Sequence, residues 1–168
     1  MSNDRAAALQ ARLIRNHEQV PKLREERAPL YDTLCARLAP GTAASKLGIS
    51  VDILEPGKRG CPYHYHHAQE EAFVVLEGSG TLRVAGELLP ITAGDVIFIP
   101  NGPDYPHQIV NTSAAPLKYL SISTRETPEV VEYPDSGKYM ASARVGGGRD
   151  FIAIARSGSH VDYWDGEP

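Results

Sequence analysis

Two cysteines in 168 residues are too few for a disulfide scaffold. Nothing in the spacing of Cys35 and Cys61 suggests a zinc pair, so two reduced thiols in a cytoplasmic protein are expected. Charge of one sign is also lacking. Seventeen Lys and Arg against 21 Asp and Glu leave a net charge of −4, which offers no basic surface to nucleic acid or an anionic membrane. No apolar run is long enough to span a bilayer. Residues 1–5 hold no charged stretch leading into an apolar one, so no secretory signal is expected. Strand–helix–strand alternation is absent too, which argues against a parallel sheet. What remains is an ordinary composition, 42% hydrophobic and 23% charged, over a length that suits one domain with a sizeable core.

Residues 4–19 are rich in Ala, Leu, Arg and Gln and read as a helix, with Leu9, Leu13 and Ile14 forming a short docking stripe. Pro21 ends it. A second helical pattern covers 29–38, and Pro40 and Gly41 stop it. From Lys46 onward the pattern changes to short β-rich runs at 47–54, 72–76, 81–84, 96–99, 108–110, 117–123 and 151–155. Gly, Pro, Asn and Asp separate them. Many short strands with close turns predict an all-β antiparallel sandwich or barrel. The Gly-, Ala- and Ser-rich segment 137–149 reads as a loop. The tail 162–167 carries Tyr163 and the sole tryptophan, Trp164. Such a tail is expected to pack on its own body or on a partner subunit. The chain thus divides into an N-terminal helical extension (1–45), a β core (46–126), and C-terminal strands and tail (127–168) that complete the same domain.

Titratable chemistry concentrates between residues 60 and 111. Three of the six histidines, His64, His66 and His67, fall within four consecutive residues. Alternate side chains of a strand share a face, so His64 and His66 point together while Tyr65 and His67 point away. Imidazole and carboxylate are the ligands that suit a borderline divalent metal. Glu71 follows His66 closely enough for a tight corner and would share a face with Phe73 and Val75. Glu70 competes with it, since a one-residue slip exchanges their faces. His107 opens a later strand and completes a possible set of four.

These residues resemble two motifs of the cupin superfamily. The first pairs two histidines one residue apart with a glutamate, and six further residues lead to a glycine. Six residues separate Glu71 from Gly78, so the resemblance selects Glu71 over Glu70. In the second motif Gly94, Pro100, Gly102, His107 and Asn111 fit with one departure. Four residues rather than two stand between Gly102 and His107, and Tyr105 occupies the usual histidine slot. Either the loop is longer or the fourth ligand is missing, and the intact spacing from His107 to Asn111 favours the longer loop. The resemblance spans about residues 48–125. More loosely, the flanks resemble a group of uncharacterised single-domain bacterial members. It implies a double-stranded β-helix, or jelly-roll barrel, holding one divalent transition metal (Zn, Ni, Fe or Mn) on His64, His66, Glu71 and His107.

The function implied is a metal-dependent enzyme acting on a small polar molecule in the barrel mouth. Isomerisation of sugar phosphates, oxygen insertion and decarboxylation all occur in families that it resembles. Tyr105 and Tyr65 are candidate catalytic groups; Tyr63, His67, Gln69, Glu70 and Asp104 also lie near the site in sequence. Lys58, Arg59 and Arg83 could anchor a phosphate. An Fe(II)-type dioxygenase would instead need an apolar pocket, from Phe73, Val75 and Phe98. A non-catalytic module binding a small ligand or a metal is the main alternative. The N-terminal helical stretch is too short and too weakly basic for a DNA-binding half, so neither nucleic acid nor membrane is an expected partner. A homodimer is expected, because an open sandwich leaves strand edges that the N-terminal segment or the tail could cover from a second copy. Light scattering behind size exclusion should give twice the 18.3 kDa chain mass at micromolar concentration. A single-chain mass there would contradict it.

Overall fold

The computed structural model describes residues 2–145 and 149–168. One helix, α1 (Ser2–Leu13), precedes thirteen strands. They are β1 (Leu23–Arg27), β2 (Tyr31–Arg37), β3 (Leu47–Leu54), β4 (Tyr65–His66), β5 (Glu71–Glu77), β6 (Ser79–Val84) and β7 (Glu87–Thr92). β8 (Val96–Ile99), β9 (His107–Val110), β10 (Leu117–Thr124), β11 (Glu129–Tyr133), β12 (Lys138–Val145) and β13 (Arg149–Arg156) follow. They form three antiparallel-paired sheets, ordered β1-β2-β3-β10-β5-β8, β7-β6-β9 and β13-β12-β11-β4. This is the all-β antiparallel barrel that the turn-rich sequence predicts, in the jelly-roll form that the cupin resemblance implies. No helix among the described residues is long and apolar enough to cross a membrane.

The core lies between the six-stranded and three-stranded sheets. Leu54, Phe73, Val75, Ile99, Leu117 and Tyr119 from the first meet Leu82, Ile91 and Ile109 from the second. Period-two alternation explains the choice: in β5, Phe73 and Val75 are buried while their neighbours are not, as a strand with one covered face requires. Gly78, at φ +82°, closes the β5–β6 turn where a Cβ would collide with the Pro116 carbonyl. Asn111, fully buried, donates to the Leu54 and Ala115 carbonyls at 2.7 and 2.8 Å and accepts from the Ser113 amide and hydroxyl.

On the β2–β3–β10 part of the large sheet the alternation is inverted. Cys35, Asp52 and Tyr119 stand in register, as do Arg37, Ser50 and Ser121, and all six face the same cavity. The apolar Ala36 and Val51 occupy the opposite face and are still fully buried. The segment after α1 lies on that outer face, where Glu18 and Glu77 both hold Lys118, at 2.5 and 2.9 Å.

Several expectations are corrected. The helix expected over 29–38 is strand β2, because its edge-on pairing with β3 over Thr33 to Arg37 buries Asp32, Thr33, Cys35 and Ala36, and tertiary pairing overrides weak propensity. The first helix is shorter than 4–19 and ends at Leu13; Leu9, Leu13 and Ile14 are all exposed. The loop expected over 137–149 contains strand β12, which pairs with β11 and β13; residues 146–148 of it lie outside the described residues. Tyr163 and Trp164 do not pack on their own body. Their rings stand 4.9 Å apart, edge to face, and both are largely exposed.

Asn111→Ala should lower unfolding free energy by about 2–4 kcal/mol, since it strands two buried carbonyls and leaves a void. Urea unfolding measures this, and a loss below about 0.5 kcal/mol would contradict the buried role.

Candidate metal centre

His64 and His107 are placed by a reciprocal backbone pair. The His64 amide donates to the His107 carbonyl at 3.1 Å and the His107 amide to the His64 carbonyl at 2.8 Å. That exchange sets the two side chains together whatever the length of the loop before His107. β4 then pairs with β11, His66 against Val131 and Tyr65 against Glu132. His66 stays on the side of His64, whereas Tyr65 and His67 turn out, their rings 5.3 Å apart, with His67 Nε2 2.8 Å from Glu132. Glu70 is exposed and its backbone pairs with Thr124. Its neighbour Glu71 turns inward at the start of β5.

One carboxylate oxygen collects the cluster. Oε2 of Glu71 lies 2.8 Å from His107 Nε2, 3.4 Å from His66 Nε2 and 3.7 Å from His64 Nε2. Ligand bonds of about 2.1 Å put neighbouring donors about 3.0 Å apart in an octahedron and about 3.4 Å apart in a tetrahedron. The observed separations fall around those values. The donor atoms of His64, His66 and Glu71 all lie within 4.8 Å of one another. The fully buried His107 stands behind them, its ring 4.6 Å from that of His64.

The far nitrogens also suit an ion. A histidine that ligates through Nε2 must carry its proton on Nδ1 and give it to an acceptor. His64 Nδ1 has the Pro62 carbonyl at 2.8 Å and His107 Nδ1 has the Tyr105 carbonyl at 3.3 Å. His66 Nδ1 faces Glu129 Oε1 at 3.7 Å, too long for a hydrogen bond, but the carboxylate still favours a proton there. Glu129 is buried and accepts from the amides of His67 and Gln69, so it also fixes the corner between β4 and β5. Sequence reasoning missed it, because nothing in an isolated Glu at 129 marks it.

Electrostatics follow from burial and proximity. Burial works against the charge on Glu71, but hydrogen bonds from His107, His64 and His66 hold its carboxyl far below the usual range. Burial likewise opposes a charge on His64, yet Cys61 beside Nδ1 and Glu71 beyond Nε2 outweigh it and raise its pKa well above the ordinary histidine value. Burial lowers that of His107. Without an ion, Glu71 thus favours its carboxylate form and His64 its imidazolium form.

The cluster forms one side of a cavity of about 630 Å³, into which His64, His66, Glu71 and Phe73 project. Cys35, Asp52, Ser50, Ser121 and Tyr119 also line it, Ser121 directly beside Phe73 in the same sheet. Asp52 accepts from Ser50 at 2.7 Å, and burial raises its pKa. Arg37 and Arg125 stand at the rim. Of the candidates named from sequence, Gln69 lines this cavity; Tyr105, Tyr65, Tyr63, Glu70 and Asp104 do not. Nor do Lys58, Arg59 and Arg83. Arg83 is bound by Asp135 at 2.7 and 2.8 Å and lies over the Tyr63 ring. Phe98 is exposed on the edge strand β8 and Val75 is in the core, so neither supplies an apolar pocket. The signal for the missed wall was the run Gly48, Ser50, Asp52 alternating with Ile49, Val51, Ile53.

A family model described as a cupin domain matches residues 50–123. The chain is 37% identical over 73 residues to an uncharacterized protein of Methanocaldococcus jannaschii, covering 41% of this chain and 57% of that one. It is 36% identical over 59 residues to an oxalate-binding protein of Thermotoga maritima, covering 35% and 47%. The chain spans about half the length of these curated relatives. Among solved structures it is similar to a sugar phosphate isomerase of Silicibacter pomeroyi, with TM-score 0.74, 26% identity, and 88% and 96% of the two chains covered. A candidate sugar phosphate isomerase of Acidithiobacillus ferrooxidans gives TM-score 0.69 at 28% identity, covering 81% and 86%.

Because His64 is protonated near neutrality without an ion, metal uptake at pH 7 should release about one proton, and affinity should fall as pH drops further. Calorimetric titration with Zn²⁺ in buffers of different ionisation enthalpy reads this. An observed enthalpy independent of the buffer would contradict it.

Proposed function

The chain carries a cupin domain, and from that premise we propose that it is a metal-dependent enzyme acting on a small, polar, hydroxyl-bearing substrate. Sugars and sugar phosphates are the leading class. The observation that carries this reading is the cavity itself. Its lining brings imidazoles and one carboxylate together with Thr33, Ser50, Asp52, Ser121 and Tyr119. An apolar substrate would leave those groups without partners, at a cost for each.

His64, His66, Glu71 and His107 would hold one divalent ion, Zn, Ni, Fe or Mn. When bound, such an ion acts as a Lewis acid on a carbonyl or hydroxyl oxygen. The chain's own groups do the remainder. Serine hydroxyls donate to and accept from substrate hydroxyls, which orients the chain of the molecule. Asp52, whose pKa burial raises, would give or take a proton within the cavity. Similarity to two structures bearing sugar phosphate isomerase names supports isomerisation over oxygen insertion. The dioxygenase alternative loses support because Phe98 faces outward.

A second reading, a binding module without turnover, is favoured by the oxalate-binding relative. We read the protein as cytoplasmic, and as a homodimer. Exposed Phe151, Ile152 and Ile154 on β13 and the Tyr163–Trp164 tail support the latter, since exposed apolar strands are covered by partners.

Elemental analysis of protein purified without added metal should find close to one transition-metal ion per chain. His64→Ala and Glu71→Ala should each lower that content at least tenfold. No metal in the wild type, with no difference in the variants, would sink the proposal. Incubation of the loaded protein with aldose and ketose phosphates, followed by NMR, separates the readings: interconversion supports the enzyme, and binding without conversion supports the module.

A further inference from the structure

The two arginines of the cavity differ in status. Arg37 Nη2 is held by Glu25 at 2.9 Å. Arg125 makes no ion pair or side-chain hydrogen bond among the described residues, yet its side chain reaches the cavity. It is guided there by a gap in the sheet surface. A Cβ on Gly48 would fall 2.7 Å from Ser123 Oγ and 3.7 and 3.8 Å from Cδ and Cγ of Arg125. The methylene stem of Arg125 therefore rests on the bare backbone of Gly48, beside the Ser123 hydroxyl.

Register ties this spot to the ligand cluster. Ser123 pairs with Gly48 on one side and with Glu71 on the other. Gly48, Ser123 and Glu71 thus form one rung of the sheet, about 10 Å from end to end at the usual strand spacing. A small metabolite spans that length.

We propose that Arg125, seated on Gly48 beside Ser123, is the anion anchor of the cavity, and that the ligand carries a carboxylate or phosphate group. The inference rests on the reading of the cavity as a substrate site and names the substrate's charge. Arg forms a planar fork that grips two oxygens of either group at once. Cavity charge agrees. Glu25 offsets Arg37, whereas Arg125 has no acidic partner among the described residues. The unpaired guanidinium leaves the mouth positive, which draws in anions.

The test uses the full chain loaded with Mn²⁺ and titrated calorimetrically with inorganic phosphate and, separately, with oxalate. Wild type should bind at least one of them, and Arg125→Met, which keeps the stem over Gly48, should weaken that binding about tenfold or more. Arg125→Lys should lose less, and metal content should be the same in all three proteins. The anion whose affinity depends on Arg125 identifies the group. If wild type binds neither anion, or Arg125→Met binds both as wild type does, the proposal is overturned. A wild type that holds no metal but still loses phosphate or oxalate affinity in Arg125→Met would retain the anchor and overturn the metal reading alone.

Discussion

Everything at the centre of this molecule turns on one oxygen atom. Oε2 of Glu71 stands within 4 Å of three imidazole nitrogens, in a place where only about an eighth of its side chain sees solvent. Desolvating a carboxylate costs several kcal/mol, and hydrogen bonds from the three imidazoles more than offset it, since they hold the carboxyl far below its usual range. An ion at this point would add the positive charge that three histidines share thinly. The reciprocal backbone pair of His64 and His107 holds the arrangement in place. With Glu129 it ties three separate stretches of chain to one point.

A second consequence is spread over the large sheet. If the interior at the level of Glu71 must be polar and roomy, strands β2, β3 and β10 cannot turn their apolar faces inward there. They are inverted: Ser50, Asp52 and Ser121 face in, Ala36 and Val51 face out. On that outward face Glu18 of the N-terminal arm is anchored on Lys118. Deeper in the barrel, where Leu54, Val75 and Leu117 meet, ordinary polarity returns.

Much of this was legible in the residues alone. Period-two spacing put His64 and His66 on one face, and turn residues at close intervals gave an antiparallel all-β fold. The resemblance to two motifs selected Glu71 and His107. What was not legible depends on partners distant in sequence. Residues 29–38 look weakly helical until β3 offers an edge, and 137–149 looks like a loop until β11 and β13 flank it. Asp52 and Arg125 gave no signal alone, because a polar residue alternating with isoleucine and valine reads as the solvent side of a strand. Only the closed barrel shows that side to be the interior. Tyr105 and Tyr65 drew attention through proximity in sequence, but neither lines the cavity, Tyr65 because strand alternation turns it away from His64 and His66.

The central claim is that one divalent ion sits among three imidazole nitrogens and one carboxylate oxygen. X-ray absorption at the edge of the resident metal tests this most directly. The account predicts nitrogen and oxygen neighbours at about 2.0–2.2 Å with the outer scattering of about three imidazole rings, and no sulfur at about 2.3 Å. A sulfur neighbour, which Cys61 would supply, or a spectrum without imidazole scattering would contradict it.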